Sequence, residues 1–98
     1  MSWFYRFPAM AKLGELMNEE QINAVRGECI EADKALWEYE MSLRLCKPAS
    51  AERIAYGMEL MDVIHAAETA LKMEFSDAEV DGLRDAVEEK NRKRGYYE

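Results

Sequence analysis

Proline occurs at only two positions, Pro8 and Pro48, which leaves two long stretches of chain where no residue forbids a helix. Apolar residues recur there at three- and four-residue intervals, and no segment alternates with period two, the signature of a half-buried strand. Start signals divide the chain the same way. Asn18 leads Glu19, Glu20 and Gln21 in the form of a capping box, Ser50 follows just after Pro48, and Ser76 to Glu79 reads as a second capping box. These signals place a short helix near 9–17 and long helices near 19–45, 51–74 and 77–94. The short connections between them imply an all-α fold, a small antiparallel bundle of about four helices in a single domain spanning 1–98.

Composition bears on what such a bundle can do. Of the 98 residues, 49% are hydrophobic and seven are Met, more apolar surface than so short a chain can bury alone, so a homo-oligomer, dimer or tetramer, is expected. The net charge of −7 argues against affinity for nucleic-acid backbone or an anionic membrane. A phosphate ligand would therefore require an intervening cation, and a divalent metal is the obvious one. Cys29 and Cys46 form no CxxC or His-rich pattern, so zinc is unsupported and reduced thiols in a cytoplasmic protein are expected. The opening "MSWFYRFPAM" is too short for a signal segment, and no apolar run approaches the ~18 residues of a membrane span.

The informative acids lie in the middle helices. At roughly 100° per residue, Leu60, Ile64, Ala67 and Leu71 form one stripe, the expected core contact. Glu59 and Asp62 fall roughly opposite, on a face that continues through Ala66, Thr69, Ala70 and Met73. The preceding helix repeats the arrangement. Ile22, Cys29, Leu36 and Leu43 make its apolar stripe, while Glu28 and Glu31 share a face with Ala24, Ala35 and Tyr39. Such acids can be ordinary surface groups paired with Lys or Arg. They can equally converge as two i, i+3 carboxylate pairs on divalent metal, which removes the penalty of burying negative charge between helices.

In the last helix Val80, Leu83 and Val87 make the inward stripe, and its continuation runs through Lys90, Asn91 and Arg94 toward Tyr96 and Tyr97. Cations there complement the helix dipole. Beside a carboxylate–metal cluster they would also suit a bound polyphosphate. His65 lies to one side of the acidic face and reads as a structural or surface residue. Glu68, near the apolar stripe, reads as a salt-bridge or interface contact, and Trp3, Phe4, Tyr5 and Phe7 as core or interface rather than base-stacking groups.

The segments "RGECIEA" and "MELMDV" together resemble the ExxE…ExxD signature of the MazG-like, all-α nucleoside triphosphate pyrophosphohydrolases, a superfamily that includes dimeric dUTPases, dCTP pyrophosphatases and phosphoribosyl-ATP pyrophosphatase. "KNRKRGYY" resembles the Asn-x-x-Arg and following aromatic near that family's C-terminal end, and the similarity covers about residues 20–97. The resemblance implies cleavage between the α- and β-phosphates of a (deoxy)nucleoside triphosphate, giving the monophosphate and pyrophosphate. It implies Glu28, Glu31, Glu59 and Asp62 as catalytic Mg²⁺ ligands, with Mn²⁺ able to substitute. It further implies phosphate contacts from Asn91 and Arg94 and weaker nucleotide contacts from Tyr96 and Tyr97, to which position adds Lys90, beside Asn91, for phosphate and Tyr39, on the Glu28/Glu31 face, for the nucleotide. Gly27, Met58 and Val87 depart from the family pattern, the first two where further acids are common and the third where a Lys is common. The alternatives are a related enzyme acting on another substrate, such as phosphoribosyl-ATP, and a catalytically weak helical interaction module.

Overall fold

The computed structural model describes residues 4–97, and every element of regular structure among them is helical. A 3₁₀ turn at Leu13–Glu15 precedes α1 (Asn18–Arg44), α2 (Ser50–Glu74) and α3 (Asp77–Lys93). The helix expected near 9–17 shrinks to that single turn, because Lys12 adopts a left-handed φ of 59° and breaks the run.

Each long helix ends for a local reason. At the end of α1, the amide of Cys46 donates to the Leu43 carbonyl and that of Lys47 to Ser42, a Schellman closure with Cys46 at the left-handed position (φ 54°). The same closure ends α3, where Gly95 (φ 80°) donates to Arg92 and Tyr96 to Asn91. The start of α3 is a complete capping box: the Ser76 hydroxyl accepts from the Glu79 amide at 3.2 Å, and the Glu79 carboxylate accepts from the Ser76 amide at 3.0 Å. The other two expected caps differ. Asn18 and Ser50 are the first residues inside their helices, after Met17 and Ala49, and neither helix has a side-chain cap. The Asn18 amide instead donates to Glu74 at 2.8 Å, and Gln21 to the Ala66 carbonyl at 2.9 Å, tying the start of α1 to the end of α2.

α1 and α2 form an antiparallel hairpin. They meet through their small-residue faces: Ala32, Gln21 and Thr69 are buried between them. The facing of the two acid-bearing faces agrees with the expected convergence, but the core contact expected of the larger apolar stripes does not form in full. The stripes assigned to the core remain open, with Ile22 44%, Leu60 42% and Ile64 37% exposed. Ala and Thr side chains let two backbones approach closely where Leu and Ile would hold them apart.

The N-terminal segment crosses the side of α2. Glu68, only 3% exposed, accepts hydrogen bonds from the backbone amides of Arg6 and Phe7 at 3.0–3.1 Å. Lys72 donates to the Phe7 carbonyl, its ammonium 4.5 Å from the Tyr5 ring centre, and the Phe7 ring stacks on His65 at 4.7 Å. Glu68 is thus a backbone clamp, neither of the roles expected for it. Phe4, Tyr5 and Phe7 belong to this segment, while Trp3 lies outside the described residues. α3 is held mainly near its start, where buried Val80 shares an apolar pocket with Phe4 and Leu71, and makes no extended contact with the hairpin beyond it.

Candidate functional site

The face that brings α1 and α2 together also gathers the acids. One carboxylate oxygen each from Glu28, Glu59 and Asp62 lies within 4.8 Å of the other two. Glu28 and Glu59 are half-buried and Asp62 is exposed at the rim. The i, i+3 spacing of Glu59 and Asp62 projects both from one side of α2 onto Glu28 of α1, across small residues such as Ala66.

The charges act on one another. Partial loss of water holds the Glu59 carboxyl above its ordinary range, reinforced by the negative charges of Asp62, Glu28 and Glu31 in that order. Among the described residues no Lys or Arg forms an ion pair with any of these acids. Glu31 therefore lies near enough to repel Glu59 but outside the converging trio.

A groove of about 210 Å³ opens beside the trio, lined by Met10, Gln21, Glu28, Asp62, His65 and Thr69 among others. His65 is the residue that sequence reasoning set aside. Its i+3 relation to Asp62 was the available signal, since 62, 65 and 69 share one edge of α2. Its ring is fixed against Phe7, and its Nε2 is buried without a hydrogen-bond partner. Met10, from the loop after the N-terminal segment, closes another side.

The residues expected to hold phosphate are placed elsewhere. Lys90, Asn91 and Arg94 belong to the distal half and end of α3, and no α3 residue lines the acidic groove. Arg94 lies 6.0 Å from the centre of the Tyr96 ring and Arg92 5.8 Å from that of Tyr97, and both tyrosines are mostly exposed. Tyr39 is half-buried on α1 and does not line the groove. The expected site is thus divided: carboxylates and Tyr39 on the hairpin, and Lys90, Asn91, Arg94, Tyr96 and Tyr97 at and beyond the end of α3.

The trio suits a hard divalent cation. It offers only oxygen donors, converging from two rigid helices, with no protein cation already neutralising them. Mg²⁺ takes one or two carboxylates and keeps water or substrate oxygens in its remaining positions, which an open, half-buried rim allows. Comparison with protein-family models, curated proteins and solved structures returns no match for this chain.

Proposed function

We propose that the chain is a Mg²⁺-dependent nucleoside triphosphate pyrophosphohydrolase, cleaving between the α- and β-phosphates to release the nucleoside monophosphate and pyrophosphate. The observation that carries this reading is the convergence of Glu28, Glu59 and Asp62 without a neutralising protein cation. The likeness of "ECIE" and "ELMD" to the MazG-like signature supplies the reaction class.

Glu28, Glu59 and Asp62 would hold the metal, which when bound neutralises phosphate charge and lowers the pKa of coordinated water. One of the four acids, Glu28, Glu31, Glu59 or Asp62, would accept the proton of the attacking water. Met10 and His65, the latter stacked on Phe7, line the groove beside the acids. Lys90, Asn91 and Arg94 have no assigned step, since the chain holds them apart from the carboxylates.

The test is a panel of nucleoside triphosphates incubated with Mg²⁺ or Mn²⁺, scoring pyrophosphate against orthophosphate. Pyrophosphate with the monophosphate is expected, and orthophosphate as the product would exclude α–β cleavage. A second reading, a helical interaction module without turnover, is favoured by the open apolar stripes of the hairpin. A module that has lost the metal site would release no pyrophosphate and gain no thermal stability from Mg²⁺.

A further inference from the structure

We propose that the cavity between the N-terminal segment and the corner where α2 passes into α3 is a second ligand site, shaped for a small planar aromatic anion. The inference is independent of the proposed reaction.

The cavity measures about 580 Å³ and shares no lining residue with the groove beside the acids. That size lies in the ordinary range for small-molecule sites. Three rings, Tyr5, Phe7 and Phe75, form its walls together with Leu13. Phe75 is 36% exposed at the corner, apolar surface that a flat ring would cover. The N-terminal wall is already tied down: the Arg6 and Phe7 amides donate to Glu68, and the Phe7 carbonyl accepts from Lys72 at 2.6 Å.

Charge decides which ligand fits. Arg6 and Lys72 line the cavity against one acid, Asp77, which lies in the first turn of α3 and is offset in part by the helix dipole. Neither cation forms an ion pair among the described residues. Lys72 spends one donor on the Phe7 carbonyl, and an ammonium has others to offer. A cationic ligand is disfavoured, because the Lys72 ammonium already stands 4.5 Å from the centre of the Tyr5 ring. Tyr5 supplies a further donor. Its hydroxyl is buried without a hydrogen-bond partner, a cost that a ligand oxygen accepting from it would remove. Burial, followed by the charges of Asp77, Glu68 and Asp81, holds that hydroxyl above its ordinary range, so it stays protonated and able to donate. A flat ring carrying an anionic oxygen group meets these demands together, with faces for the aromatic walls and oxygens for Arg6, Lys72 and Tyr5.

Titration of the full chain with 1-naphthoate is expected to saturate one site per chain with a Kd near or below ~1 mM, as the efficiency of small ligands allows. Nuclear Overhauser contacts from the naphthyl protons should reach Tyr5 and Phe75. 1-Naphthylmethylamine, the same ring carrying a cation, should bind at least ~10-fold more weakly. Arg6→Gln should weaken naphthoate binding by at least ~10-fold, since it removes a charge-assisted bond yet keeps the backbone amide that holds the segment to Glu68. Ala9→Trp, at an exposed position of the cavity lining, should block binding without touching a buried residue. Asp62→Asn should bind naphthoate as the wild type does, which separates this cavity from the acidic groove. Absence of saturable binding, equal binding of the amine, or contacts to the hairpin stripes in place of Tyr5 and Phe75 would each overturn the proposal. So would undiminished binding by Arg6→Gln.

Discussion

Glu59 shows how a single side chain can link stability to pH. Its carboxyl is held above the ordinary range, first by lost hydration and then by Asp62, Glu28 and Glu31. Between the unfolded and the raised folded value, the native state binds more protons than the unfolded chain. This group's contribution to stability therefore falls as pH rises through that window and returns as pH drops below it. In metal-free protein, thermal melts of the wild type should lose stability relative to Glu59→Gln as pH rises through that window. Mg²⁺ should reduce the difference, because a bound cation favours the ionised carboxylate. Asp62→Asn and Glu31→Gln should each abolish pyrophosphate release while leaving the far-UV helical signal unchanged, and near-normal turnover in either would refute the assignment. Glu68 has a different role. Its three backbone hydrogen bonds are made from a site only 3% exposed. Glu68→Gln replaces a charged double acceptor by an amide and should destabilise the fold by roughly 1–3 kcal/mol. Limited proteolysis near Arg6 should then accelerate, which chemical denaturation alone would not show.

At the scale of the elements, the helix ends show how well local chemistry was legible. Pro48 and the Ser76 capping box set α2 and α3 within a residue of their expected bounds, because such signals act over three or four residues. The Glu79 carboxyl in that box is held below its ordinary range by hydrogen bonds to Ser76. Its contribution is present above the unfolded carboxylate pKa and lost as pH falls through the folded value. Ser76→Ala should loosen α3 by about 1 kcal/mol, seen as faster amide exchange in its first turn. Cys46 occupies a left-handed position that glycine takes without steric penalty. Cys46→Gly should raise stability by about 0.5–1 kcal/mol, measured by urea denaturation. Periodicity, by contrast, reported two faces on α1 and α2 but not which one packs. The Leu and Ile stripes carry the larger hydrophobic signal, yet the hairpin closes on Ala32 and Thr69, since small side chains permit the nearer approach. The Glu68 clamp was illegible for another reason: its partners are backbone amides 61 and 62 residues away, which no side-chain pattern announces.

The whole molecule is an extended body, 48 × 39 × 22 Å, in which a hairpin holds the acids and α3 carries the cations away from them. The convergence of Glu28, Glu59 and Asp62 was legible because a helical spacing of three fixes a direction, whereas Glu31, expected beside them, lies outside the trio. The distance between carboxylates and cations was not, since it depends on how α3 leaves the hairpin. No helix is long and apolar enough to cross a membrane among the described residues, so the open stripes are not explained as a span. The central claim is that the acids form a metal-dependent hydrolytic site, and product analysis tests it most directly. With Mg²⁺ and a nucleoside triphosphate, the wild-type chain should release pyrophosphate and the nucleoside monophosphate in equal amounts, with none released by Asp62→Asn. Orthophosphate with the diphosphate, or pyrophosphate release undiminished in that variant, would contradict it.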